Sequence, residues 1–263
     1  MTTAVITTIE NGIGTITLNR PEARNALDQA MRDELADAIA RVRDDTGVAS
    51  VILTGAGSAF CSGGDIKGML ASGQGKTLEW REGIRKLHRW FPELVNLEKP
   101  VIAAVDGPAF GAGFGLALAA DFILATKRAT FCAVFGRIGL VPDLGVMYLL
   151  PRIVGRQKAK ELVFTTRVVA ADEAKVLGLV YDVAEDGPAL QAAAHKLATE
   201  LGEASTSAIG LAKTIMNQSF ELDAHAMAEL EASAQAICRG SAYHQDAIQR
   251  FRDKKPLRFS GKF

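Results

Sequence analysis

Cysteine is scarce in this chain. Only three occur in 263 residues, Cys61, Cys132 and Cys238. They lie far apart and are odd in number, so they form no disulfide framework and show no metal-ligand spacing. A surplus of either charge is also missing, since 30 Lys and Arg balance 30 Asp and Glu. That balance gives no electrostatic case for nucleic acid or a membrane surface as partner. Long apolar runs are absent too. The longest, near residues 110–120, is rich in glycine and alanine and falls short of the about 20 residues that cross a bilayer. The first residues, Met1-Thr2-Thr3-Ala4-Val5, hold no basic stretch followed by an apolar one. No signal peptide is therefore expected, and a reducing, cytoplasmic location is the expectation. What is present is ordinary globular composition, 48% hydrophobic and 23% charged. The length suits one large domain or a domain with an appendage.

Two stretches organise the rest. Val51-Ile52-Leu53 reads as a buried strand and leads to Phe60-Cys61-Ser62-Gly63-Gly64-Asp65-Ile66-Lys67. Adjacent glycines there permit backbone angles that other residues avoid, and N–H groups can point into open space toward an anion. Asp65 is the expected N-cap of the helix that follows. Val101 to Val105 reads as a second strand. It leads through Asp106-Gly107-Pro108-Ala109-Phe110-Gly111-Ala112-Gly113-Phe114-Gly115 into a small-residue helix. Each turn can supply one N–H donor to the same oxygen. The glycine spacing fits neither a dinucleotide fingerprint nor a P-loop.

Along the chain, Asn11-Gly12 between β-rich runs predicts a hairpin of residues 4–10 and 13–18. Leu27, Met31, Leu35, Ile39 and Val42 recur at helical spacing, with Arg32, Asp33, Glu34, Asp37 and Arg41 expected outside. Residues 71–76 read as a loop. Residues 78–97 read as a helix with Trp80, Ile84, Leu87 and Phe91 as its apolar stripe, kinked or divided at Pro92. Residues 170–178 read as a short helix stopped by Gly178, and residues 179–183 as a strand. From Gly187 almost to Arg252 the pattern is helical. The strand–helix alternation implies a parallel sheet with crossover helices. A composition shift near residue 200 separates an expected core, residues 1–200, from a helical segment, residues 201–263, whose tail carries Lys254, Lys255, Arg258 and Lys262.

These motifs resemble the crotonase family, the enoyl-CoA hydratase/isomerase superfamily. The resemblance runs through Leu18-Asn19-Arg20-Pro21, Asn25-Ala26-Leu27, residues 59–67 and 104–116, Gly139-Leu140-Val141-Pro142, Ala174 and Gly178-Leu179-Val180. It implies an α/β fold, a crotonase-like ββα spiral core with a C-terminal α-helical trimerisation segment. It implies an acyl-CoA thioester as substrate, with coenzyme A a part of that substrate rather than a separate cofactor. Gly64 and Ala112 would hold the thioester oxygen. Arg24, Ala26, Ser62, Asp65 and Ile66 would contact the CoA portion. A homotrimer or dimer of trimers is implied, with the basic tail near a neighbour's CoA.

Family hydratases carry two glutamates that handle water, and their positions here are Gly115 and Phe135. Neither can ionise, which argues against simple hydration. Asp143 follows Pro142, and locally it reads as the N-cap of the next helix. Some family isomerases carry an acid at that position. One carboxylate can take a proton from one carbon and return it two carbons along. The resemblance thus implies a double-bond shift with Asp143 as the shuttle. Phe135 would dry the pocket and raise the Asp143 pKa. Two alternatives stay open: a hydratase or lyase using another acid, Glu79, Glu82 or Asp121, and a non-catalytic acyl-CoA-binding protein. His88, His195, His225 and His244 read as surface or packing residues. Cys61 has no histidine beside it in the sequence, and Cys132 reads as packing.

Overall fold

The computed structural model describes residues 3–66, 68, 76–259 and 261. Lys67, the expected loop over residues 71–75 and Lys262 lie outside the described residues. The hairpin forms as expected: β1 (Val5–Glu10) pairs antiparallel with β2 (Ile13–Leu18), from Val5↔Leu18 to Glu10↔Ile13. Asn11 and Gly12 both take left-handed angles, φ 51° and 79°, as a two-residue primed turn requires. The sheet then continues in parallel through β3 (Ser50–Gly55), β4 (Val101–Val105), β6 (Phe122–Thr126) and β9 (Asp182–Ala184), in the order β1-β2-β3-β4-β6-β9. All of β4 and most of β3 are buried, which is why both read as unbroken apolar runs. A small second sheet joins β5 (Pro108–Phe110), β7 (Thr130–Cys132) and β8 (Val169–Ala170). The strand β5 hides inside the expected turn over residues 106–115; at three residues it is too short to show a period.

Helix α1 (Gln29–Asp44) starts where the Asp28 carboxylate accepts the Met31 N–H at 2.8 Å, and it buries Met31, Leu35, Ala38, Ile39 and Val42. Helix α2 (Thr77–Val95) runs unbroken past Pro92. Its buried face is Leu87, Trp90, Phe91 and Leu94, whereas Trp80 and Ile84 are exposed. The expected stripe therefore holds only in the second half of the helix. Helix α3 (Ala112–Leu118) is buried throughout. Then come α4 (Val146–Val154), α5 (Arg156–Thr165) and α6 (Ala171–Val176). Leu179 and Val180 form a buried connection rather than the start of a strand.

Helix α7 (Gly187–Gly202) covers one sheet face, packing Leu190, Ala194 and Leu197 with Ile52, Ile102 and Leu124. The larger core fills the other face. Position 200 lies inside α7. Helix α8 (Thr206–Met216) is fastened to the core by buried Lys213, whose Nζ reaches Asp121 at 2.8 Å. Helices α9 (Ala224–Arg239) and α10 (Ala242–Arg252) bury no residue.

Candidate active site

The site begins at a junction of two loops. The strap 24–27 lies along residues 61–65. The Ser62 N–H donates to Arg24 O at 3.0 Å, the Leu27 N–H to Gly63 O at 2.8 Å, and the Asp65 N–H to Leu27 O at 3.3 Å. Asn25 fixes this strap. It is fully buried, and its side-chain amide donates to Ala56 O at 2.9 Å and Ala59 O at 2.8 Å. Arg20 clips the strap from outside through Asp28 at 3.1 Å and Asp65 at 3.3 Å. Neither latch has a local periodic signal; their partners lie up to 45 residues away.

The second loop packs against the first without space for side chains. Gly63 has φ 101°, and a Cβ there would lie 2.9 Å from Phe110 O and 3.5 Å from Ala112 N. Gly113 sits so close to Cys61 that a Cβ would fall 2.2 Å from its carbonyl oxygen. Glycine is thus required for the two turns to touch. Ala112 is the first residue of α3, where a helix N–H has no partner of its own. Among the described residues, the N–H groups of Gly64 and Ala112 donate to nothing. Two unengaged donors therefore meet at one junction, with the ring of buried Phe135 beside it, 3.8 Å from where a Gly111 Cβ would stand.

Asp143 enters from the loop before α4. The carboxylate does not cap that helix: Gly145, at φ 73°, holds the N-cap position, and no side chain caps it. The loop is shaped by packing instead. Leu144 takes a left-handed φ of 41° and is fully buried. Its carbonyl oxygen would lie 2.3 Å from a Cβ on Gly115, and a Cβ on Gly145 would lie 2.4 Å from the Phe91 ring. The segment is held between α3 and α2. In that position Asp143 Oδ1 is buried with no hydrogen-bond partner. Burial pushes the Asp143 carboxyl above the usual carboxylate range, while the charges of His88 and Arg32 oppose the shift. Arg32 was expected on the solvent side of α1. It turns inward instead, with its Nε buried and unpartnered.

The other residues singled out from the sequence fall into place. Arg24 is exposed at φ 51°; its main chain bonds Pro21 and Ser62, and its guanidinium makes no hydrogen bond or ion pair among the described residues. Ala26 O accepts from Arg20 Nη1 at 2.7 Å. Asp65 caps as expected, its Oδ1 accepting the Gly68 N–H at 3.1 Å. Ile66 is half exposed. The alternative acids are engaged elsewhere. Glu79 accepts the Lys76 N–H at 3.2 Å, Glu82 pairs with Arg89 at 3.1 Å, and Asp121 holds Lys213 and the Val101 N–H. Burial pushes the Cys61 thiol up to about 12, far from a thiolate nucleophile at neutral pH. Cys132 is also buried, and its thiol lies 3.2 Å from Thr166 O. His88, His195 and His225 are exposed and His244 half-buried. No cluster of metal-ligating side chains occurs among the described residues, and no helix among them is long and apolar enough to cross a membrane.

Residues 8–262 match the family model described as enoyl-CoA hydratase/isomerase. The chain belongs to the enoyl-CoA hydratase/isomerase family. Its relatives include the 1,2-epoxyphenylacetyl-CoA isomerase of Escherichia coli, 32% identical over 98% of each chain. They also include the short-chain-enoyl-CoA hydratase of Clostridium acetobutylicum, 34% identical over 96% of each. A solved enoyl-CoA hydratase/isomerase from Cupriavidus metallidurans superposes with a TM-score of 0.92 at 40% identity, covering 97% of this chain and 96% of that one. The architecture is thus the crotonase-like α/β fold with helices at the C-terminus, and this family member is an acyl-CoA enzyme. The relatives' names include both an isomerase and a hydratase.

Proposed function

We propose that this enoyl-CoA hydratase/isomerase family member is an isomerase that shifts a carbon–carbon double bond in an acyl-CoA thioester. Asp143 carries the proton, and the Gly64 and Ala112 N–H groups hold the thioester oxygen. The observation that carries the reading is Asp143 Oδ1, buried and without a partner, in a chain whose two hydratase positions are Gly115 and Phe135. Space at Gly115 is already taken by the Leu144 carbonyl. The other candidate acids are engaged elsewhere.

The chemistry follows from this geometry. The Asp143 carboxylate takes a proton from C2 of a 3-enoyl thioester. The freed electron pair delocalises over the thioester and the C3–C4 double bond, and charge gathers on the oxygen. Two fixed N–H donors stabilise that charge; losing one such donor costs about 10²–10³ in kcat. Protonated Asp143 then returns the proton to C4, and the double bond rests between C2 and C3. No water is consumed. A carboxyl raised by burial is better matched to a weak carbon acid than an exposed one. Exposed Ile138, Leu140 and Val141 beside this loop offer an apolar rim for the acyl group. Arg24, exposed and unpaired, suits a CoA phosphate, and Ala26, Ser62, Asp65 and Ile66 adjoin it. Asp65 would contribute main chain, since its carboxylate serves Arg20 and Gly68. The reading includes a homotrimer or dimer of trimers in the cytoplasm, supported by the unburied helices α9 and α10 and the exposed apolar side chains near them.

The deciding experiment is a paired assay with 3-enoyl-CoA and 2-enoyl-CoA. The expected result is conversion of the 3-isomer to the 2-isomer, reduced at least about 10²-fold in Asp143→Asn, the lower range for loss of a general base. Water addition to the 2-isomer that survives in Asp143→Asn would sink both the reaction and the residue.

A further inference from the structure

Two buried side-chain atoms lack hydrogen-bond partners among the described residues, Asp143 Oδ1 and Arg32 Nε. One is an acceptor and the other a donor, and their charges act on each other. Yet no ion pair within 4.0 Å joins them. A buried group left without a partner is costly, and each instance in a native protein needs an explanation. The proposed reaction explains Asp143, because a carbon-bound proton is what it awaits. It does not explain Arg32. An Nε–H held out of water near the base requires an acceptor that arrives with the substrate.

The acceptor's charge can be argued. Arg32 shares its surroundings with the Asp143 carboxylate, which would repel a second anion as closely placed. A neutral oxygen meets no such penalty. A purely hydrocarbon chain would leave the Nε–H unsatisfied in the complex as well, and a site built to bond an oxygen discriminates against an analogue that lacks it.

We propose that Arg32 is a specificity residue whose Nε–H donates to a carbonyl or hydroxyl oxygen on the acyl chain beyond the α-carbon. The substrates are therefore oxygenated acyl-CoA thioesters rather than plain hydrocarbon ones. This inference rests on the acyl-CoA reading of the site, with the acyl group lying beside Asp143.

The test is a binding measurement, so it does not depend on turnover. Affinities are compared for hexanoyl-CoA and for hexanoyl-CoA bearing a ketone at carbon 3 or at carbon 5. At least one ketone is expected to bind about tenfold more tightly than the plain chain, as a hydrogen bond to a charged donor allows. In Arg32→Leu that advantage should fall to within about twofold of parity. Should Arg32→Leu not fold, Arg32→Lys keeps the cation and displaces the donor, and is read the same way. Equal affinities in the unaltered protein, or a ketone advantage that persists in the variant, would overturn the proposal. A ketone advantage lost in the variant, together with no isomerisation of any 3-enoyl-CoA, would leave the Arg32 contact standing and remove the proton shuttle instead.

Discussion

In the proposed reaction Asp143 concentrates the chemistry, and its burial also costs stability. Burial raises its carboxyl pKa, so the folded chain binds that proton more tightly than the unfolded chain does. The cost of the ionised carboxylate therefore grows as pH rises from the ordinary carboxylate range through the raised value. It is present in full only above the raised value. Above that value Asp143→Asn should then raise Tm, while reducing isomerisation at least about 10²-fold. The active form is the carboxylate, so kcat should fall as pH drops through a value above about 4, the unperturbed carboxylate. Calorimetry and a pH–rate profile check the two halves. A lower Tm in Asp143→Asn, or a rate independent of pH down to the ordinary carboxylate value, would contradict this account of the residue.

At the scale of elements, the decisive contact is α3 against the loop before α4. Gly115 lies one turn into α3, and the Leu144 carbonyl occupies the space where its Cβ would stand. Gly115→Glu is therefore expected not to create a hydratase. It should displace the loop over 143–145, lower stability by about 1–3 kcal/mol as overpacking does, and reduce isomerisation. Chemical denaturation and a 2-enoyl-CoA hydration assay test this; a stable variant that gains hydration refutes it. The same contact shows where sequence reasoning ran out. The hairpin, the buried strands, the stripe of α1 and both glycine turns were legible, because each is written in a local period or turn residue. The Asp143 loop was not. Asp143 after Pro142 carries the local signature of an N-cap, and Gly145 displaces it only because Leu144 is drawn into the core and Phe91 packs on Gly145. Arg32 was assigned outward by helical period alone, and its Nε turns in. Both errors come from contacts distant in sequence.

For the whole molecule, the C-terminal third is only partly satisfied within one chain. Helices α9 and α10 bury nothing. A cleft of about 800 Å³ between α4 and α5 is lined by Met147, Leu150, Val163, Phe164 and Phe220, and Phe164 and Phe220 are 77% and 74% exposed. An apolar surface of this kind marks an association site. Light scattering should give about three or six times the single-chain mass, and Phe164→Glu should lower it toward one. A monomer before substitution would remove the assembly from the reading. The seat of Leu144 on Gly115 reaches further, into descent. An acid regained at 115 is harmful while the loop stands, and remodelling the loop first forfeits Asp143. If the proposed isomerase reading holds, neither order of mutation passes through a working enzyme, and the two changes are coupled by epistasis.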